Sequence, residues 1–221
     1  MSSNIVGYHK MELGKGLTIL GSQFVSVGDT AIDIQDVADG DFAAGDRLLF
    51  YDAGTYMIYT YDTITYDDSW ETDLGPGWVD PVEGTRAIRQ IQPGEGFWYD
   101  CQTVSGNDVT LAGEVPDTTS ITISGGGALN LVTIPEPISG VSINSLVFNG
   151  VKAGDRLMFF DNGTYMIYTY DTTTYDDTWE DDLGPGWVDP IEGTRAVRAV
   201  GINEGFWIQA EGAGNVTISL P

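Results

Sequence analysis

A 54-residue segment, Gly45 to Trp98, recurs without a gap at Gly154 to Trp207, offset by 109 positions and identical at 41 of them. A chain that spells one stretch twice has to build one local structure twice, so the fold is expected to be a tandem arrangement. The 221 residues then divide into two β units of about a hundred residues each, 4–116 and 117–221. The boundary falls near Pro116-Asp117-Thr118-Thr119, a linker short enough that the units are expected to pack together.

Strand signals dominate both units. Gly, Thr, Tyr, Val and Ile are abundant, helical periodicity is nearly absent, and Gly, Pro, Asp and Asn punctuate at short intervals. In the first unit, Tyr8–Leu13, Leu17–Gly21, Phe24–Val27, Arg47–Asp52, Thr55–Asp62, Arg86–Ile91, Gly96–Cys101 and Val109–Gly113 read as strands. Ile32 to Ala38 reads as one short helix. Ala53-Gly54 is a two-residue hairpin signal, and Asn162-Gly163 is a stronger one because both residues tolerate positive φ. Ser120–Ser124, Leu129–Val132 and Val216–Leu220 take the matching places in the second unit. The expected class is all-β, two tandem homologous units, each a β-sandwich or a partly open β-barrel.

Between Asp62 and Arg86 lie more than twenty residues without a clear period. Connections of that length in compact domains are usually functional or tied down by their own side chains. This one carries Trp70, Trp78, Pro76 and Pro81 with Asp67, Asp68, Glu71, Asp73, Asp80 and Glu83. Its copy carries Trp179, Trp187, Pro185 and Pro190 with Asp176, Asp177, Glu180, Asp181, Asp182, Asp189 and Glu192. The residues before Gly45 have diverged between the copies while this connection has scarcely changed, as either constraint on this segment or a recent partial duplication or gene conversion would produce.

Composition narrows the function. With 33 acidic against 9 basic residues the net charge is −24, so phosphate backbones and anionic lipid surfaces repel the chain. Nucleic acid is excluded as a partner, and no apolar run reaches the ~18 residues a membrane-spanning helix needs. A hydrophobic content of 42% argues for a folded chain over a disordered one. Cys101 is the single cysteine and has Ala210 at its repeat position, so it reads as a spectator thiol. The single histidine, His9, has no counterpart in the second unit, which argues against a Ser–His or Cys–His nucleophile. Phosphate loops, G-x-G-x-x-G and H-E-x-x-H are absent, and the expectation is a protein that is not an enzyme.

Three binding chemistries suit the connection, beside the plain reading of a solvated acidic loop. Carbohydrate binding pairs aromatic faces with carboxylates, and Tyr66, Trp70, Trp78 and Asp80 with Tyr175, Trp179, Trp187 and Asp189 have that composition. The same aromatic residues could anchor a contact with another copy of the chain, giving an oligomer, filament or lattice. Calcium needs several hard oxygen ligands, which Asp67, Asp68, Asp73, Asp176, Asp177 and Asp182 supply, without the D-x-D-x-D-G spacing. The nearest run to that spacing is Asp36 to Asp46, with Asp39-Gly40-Asp41 inside it. Arg47, Arg86, Arg89, Arg156, Arg195 and Arg198 read as struts pairing with nearby carboxylates.

Gly16–Leu20 and Ala128–Val132 form an opening strand, Ile91-Gln92-Pro93-Gly94-Glu95-Gly96-Phe97-Trp98 a closing one, and Val109-Thr110-Leu111-Ala112-Gly113 a tail. These segments resemble a β module repeated in secreted and cell-surface proteins of bacteria and archaea. Its motif runs from G-x-N/S-L-I to L-x-P-G-x-G-Y/F-W and V-T-L-x-G. The second unit departs from it where Ile202-Asn203 replaces Pro93-Gly94. The resemblance implies export and a structural or adhesive role, with surface glycans or the chain itself as partner. Met1 to Gly7 lacks the basic-then-apolar pattern of a signal peptide, as a mature exported chain would.

Overall fold

The computed structural model describes residues 6–38, 42–103, 105–117 and 120–221. The chain is all-β, built of several open sheets. In the first half the strands are β1 (Val6–Leu13), β2 (Gly16–Gly21), β3 (Ile32–Asp33), β4 (Arg47–Asp52), β5 (Thr55–Tyr66), β6 (Asp73–Val79), β7 (Gln90–Ile91), β8 (Gly96–Cys101) and β9 (Asn107–Glu114). In the second they are β10 (Ser120–Ile123), β11 (Leu129–Thr133), β12 (Val141–Ser142), β13 (Val147–Asn149), β14 (Arg156–Asp161), β15 (Thr164–Tyr175), β16 (Asp182–Val188), β17 (Ala199–Val200), β18 (Gly205–Gln209) and β19 (Val216–Ser219).

Two five-stranded antiparallel sheets share one order, β2-β8-β4-β5-β6 and β11-β18-β14-β15-β16. Smaller sheets, β1-β9 with β3-β7 and β10-β19-β13 with β12-β17, complete the halves, and no sheet closes into a barrel. The β4–β5 hairpin turns on Ala53 and Gly54 with φ of 46° and 93°, and β14–β15 on Asn162 and Gly163 with 49° and 82°. Positive φ at both central residues gives the turn whose twist matches that of its strands.

Four sequence expectations are corrected. Residues 63–85 are not without regular structure: β5 runs on to Tyr66, and β6 pairs with it through a bulge between Asp62 and Thr65. Gly75-Pro76-Gly77 hides this strand, and Pro76 is tolerated because β6 is a sheet edge. Ile32 to Ala38 is a short strand followed by a 3-10 helix, Ile34–Ala38, capped where Asp33 Oδ1 accepts the Gln35 amide at 2.9 Å. Phe24–Val27 contributes only a bridge at Val25, and Arg86–Ile91 pairs regularly only at Gln90–Ile91.

Alternation along β4 sends Leu48 and Phe50 into a core with Tyr59, Trp78, Phe97 and Tyr99. The matching core of the second half holds Leu157, Phe159, Tyr168, Trp187, Phe206 and Ile208. The other sheet faces meet in a third cluster, where Ile19 and Trp98 pack with Leu131 and Trp207, joined by Leu49, Tyr51, Met158 and Phe160. This contact is reciprocal. Trp98 meets Phe160 edge-on at 4.9 Å, and Trp207 meets Tyr51, the position equivalent to Phe160, at 4.9 Å. The Gly21 amide donates to Asn203 O at 2.9 Å, and the Thr133 amide donates to Gly94 O, its equivalent, at 3.0 Å. Backbones approach so closely that a Cβ on Gly96 would lie 2.7 Å from the Val132 nitrogen. One on Gly205 would lie 2.5 Å from Leu20 O. The halves are thus related as a two-fold interface relates subunits.

Asp46 is among the fully buried polar residues. Its carboxylate accepts the Ala43 and Gln102 amides at 3.0 and 2.8 Å, the Tyr99 hydroxyl at 3.0 Å and Asn107 Nδ2 at 2.6 Å. Burial pushes the Tyr99 hydroxyl pKa far up, so it stays a donor. Cys101 is buried in the same core.

Candidate functional site

The segment from Asp67 to Thr72 is a tight turn organised by one carboxylate. Asp67 Oδ1 accepts the Ser69 hydroxyl at 2.8 Å and the Glu71 and Thr72 amides at 3.2 and 3.3 Å. Asp176 repeats this with the Thr178 hydroxyl at 2.8 Å and the Glu180 and Asp181 amides at 3.0 and 3.3 Å. Hydrogen bonding to the charged form, led by Ser69 and by Thr178 respectively, holds both carboxyls below the ordinary aspartate pKa.

The turn forces Trp70 to φ +61° and Trp179 to +62°. A bulky residue in the left-handed region is a conformational outlier, and here it occurs at the same place in both copies. Trp70 stacks on Tyr66 with centroids 5.9 Å apart and planes 25° apart; Trp179 stacks on Tyr175 at 5.7 Å and 24°. Each indole also lies over a glycine: a Cβ on Gly84 would sit 3.1 Å from Trp70, and one on Gly193 would sit 3.2 Å from Trp179. Both indoles are 56% exposed.

Trp78 and Trp187, expected to join the binding surface, are core residues instead and are not available to a ligand. Trp78 points inward from β6, met edge-on by Phe42 and Tyr61, both at 5.2 Å. Phe148 and Tyr170 flank Trp187 at 5.1 and 5.2 Å. Gln35 locks the Trp78 backbone from both sides, accepting its amide at 2.9 Å and donating to its carbonyl at 3.0 Å. Asn144 does the same for Trp187. Among the described residues, neither buried indole Nε1–H has an oxygen or nitrogen partner, a feature shared by both copies.

Beside Trp70 opens a hollow of about 540 Å³ lined by Asp33, Asp67, Asp68, Asp80 and Glu83, with Arg86 in its wall and Leu74 and Ile88 at its rim. Asp80 caps the next turn, accepting the Val82 and Glu83 amides at 2.8 and 3.0 Å; Asp189 caps the equivalent one. Asp73 and Asp182 each accept the amide two residues on at 2.8 Å. Much of the acidity of this segment is therefore turn chemistry. Among the described residues no group of three or more His, Cys, Asp or Glu side chains converges as metal ligands do, so Asp67, Asp68 and Asp73, like Asp176, Asp177 and Asp182, are not brought together. Asp39-Gly40-Asp41 lies outside the described residues.

The arginine struts act differently from expectation at the turn. Arg86 Nη1 donates to the Leu74 and Pro76 carbonyls at 2.8 and 3.3 Å and to the Thr65 hydroxyl at 3.3 Å. Arg195 repeats the contacts to Leu183 O and Thr174. Arg89 and Arg198 do pair with carboxylates, Glu95 and Glu204, while lying 4.0 and 4.6 Å over the Phe50 and Phe159 rings. Histidine 9 sits 3.3 Å from Asn203 Nδ2, within the contact between the halves.

Sequence reasoning missed the aliphatic part of the surface. Ile88 and Val197 are each 91% exposed, Val82 and Ile191 are 80% and 79% exposed, and Leu74 and Leu183 are exposed as well. The available signal was that both copies keep an aliphatic residue at each of these three places. Comparison of the chain with protein-family models, curated proteins and solved structures finds no match.

Proposed function

We propose that this is a non-enzymatic structural protein, exported to the cell surface or beyond it, in which two tandem β-sandwich units each present one docking face for assembly. The observation that carries the reading is the duplicated exposed set: Trp70, Leu74, Val82 and Ile88 in one copy, Trp179, Leu183, Ile191 and Val197 in the other. Scattered apolar side chains are ordinary on a surface, but the same three aliphatic ones at the same places twice, beside an indole in a strained backbone, indicate a retained contact. Two equivalent faces on one pair of units would make the chain a bivalent building block.

A carbohydrate reading stands second. It is favoured by the near-parallel Tyr66–Trp70 and Tyr175–Trp179 pairs, which hold a flat indole among carboxylates. The fully exposed aliphatic side chains favour a protein partner over a sugar. Sedimentation over a range of concentrations, with and without calcium, tests assembly by the chain alone. Titration with soluble glycans, followed by Trp70 and Trp179 emission, tests the second reading. A Trp70→Ala/Trp179→Ala chain that behaves as wild type in every association assay removes the docking-face reading.

A further inference from the structure

Resting on that reading of two docking faces, we propose that their occupant is a basic segment of another protein, with Arg or Lys side chains inserted at each face, and not a second copy of this chain. The apolar rim is what makes the surface a contact. Leu74 and Ile88 lie on it, and Trp70 is exposed on the adjoining turn. Between them the hollow holds five carboxylates, Asp33, Asp67, Asp68, Asp80 and Glu83, against one guanidinium, Arg86, so 1 − 5 leaves −4. Arg86 is directed at the Leu74 and Pro76 carbonyls and the Thr65 hydroxyl, within its own half.

An isologous contact between two such faces would bring like charge onto like charge within a chain that already carries −24. A partner must therefore be apolar along the rim and cationic at the centre. Arg and Lys have that division within one side chain, an aliphatic stem that covers apolar surface and a charged head. Arg suits the site better, because its planar head can stack on an exposed indole and donate to a carboxylate at the same time. The equivalent face offers Asp176, Asp177, Asp189 and Glu192 with Arg195, but Ser142 holds the register of Asp33, both residues pairing with the strand that follows the arginine. The carboxylate lost at Ser142 is matched by Asp181, which stands in the second turn where the first copy has Thr72, so the two faces carry similar charge.

The experiment titrates an oligo-arginine peptide into the full chain by calorimetry and tryptophan emission at physiological ionic strength, with oligo-glutamate as control. Two sites per chain are expected, of similar affinity. Asp68→Asn/Glu83→Gln with Asp177→Asn/Glu192→Gln removes carboxylates for which no turn contact is seen, and is expected to weaken binding on the order of tenfold. Trp70→Ala/Trp179→Ala keeps every charge and is expected to weaken it by a comparable factor. Undiminished binding by the tryptophan variant would mean that overall charge alone attracts the peptide, overturning the proposal. Self-association that needs Trp70 and Trp179, with no peptide bound, would make a second copy the occupant; that overturns this inference and leaves the docking faces standing. Absence of both interactions would overturn both readings.

Discussion

Gly21 and Thr133 occupy equivalent positions on β2 and β11 and face each other across the contact between the halves, where a Cβ on Gly21 would lie 2.2 Å from the Thr133 Cβ. Only one of the two positions can carry a side chain, so exact two-fold symmetry is broken at this point. Thr133 uses the room: its hydroxyl donates to Glu204 O at 2.7 Å and accepts from Gln23 Nε2 at 3.4 Å. Gly21→Ala should destabilise by roughly 1–3 kcal/mol through overpacking. Adding Thr133→Gly should recover part of that loss, less the hydroxyl's hydrogen bonds, so a urea-denaturation cycle should show clear non-additivity. Additive effects would mean the two positions do not meet.

Trp98 and Trp207 are the two indoles of the apolar cluster between the five-stranded sheets, while each half keeps its own core. Trp98→Ala and Trp207→Ala should each cost about 3–5 kcal/mol. Together they should uncouple the halves, so that calorimetry resolves two unfolding transitions where wild type shows one. A single transition in the double variant would count against two independently stable units.

What the sequence made legible follows from local rules. Ala53-Gly54 and Asn162-Gly163 signal a two-residue turn because its dihedrals admit few residues, and they form it. The opposite fates of Trp70 and Trp78 were not legible, because composition carries no direction. Trp78 is aimed inward by the alternation of β6, a strand disguised by Gly75-Pro76-Gly77. Trp70 is thrown outward by a turn that only the Asp67 hydrogen bonds reveal. The contact between the halves did leave a trace: Leu48-Leu49-Phe50-Tyr51 is apolar on successive residues, as a strand buried on both faces should be. The reciprocity of that contact depends on long-range pairing and has no local signature.

Trp70 offers a test of whether surface or stability keeps it in place. Its left-handed backbone costs about 1–2 kcal/mol relative to glycine, and its indole is more than half exposed. Trp70→Gly relieves the strain, loses the stack on Tyr66 and adds freedom to the unfolded chain. These effects oppose one another, so stability should stay within about 1 kcal/mol of wild type, while any binding at that face is lost. A loss of several kcal/mol would make Trp70 a structural residue and weaken the docking reading.

Acid should act on the turns and on the contact between the halves with opposite signs. Asp67 and Asp176 have folded pKa values below the ordinary 3.8, so their contribution is present above that value and is lost as pH falls through the lower folded ones. Glu204, held near the Leu20 backbone, is raised above 4.5 mainly by desolvation, against the opposing Gly201 amide and Arg198. Its contribution favours folding below 4.5 and is lost as pH rises through the raised value. Acidification from neutrality therefore first relieves the burial of charge at Glu204, and only below 3.8 do the turns lose the anionic acceptors that hold Trp70 and Trp179. The emission difference between wild type and Trp70→Phe/Trp179→Phe should change with a midpoint below 3.8. Asp67→Asn/Asp176→Asn retains an oxygen acceptor but cannot titrate, and should abolish that step. A midpoint at or above 3.8, or a step that survives the asparagine substitutions, would show that these two carboxylates do not organise the turns.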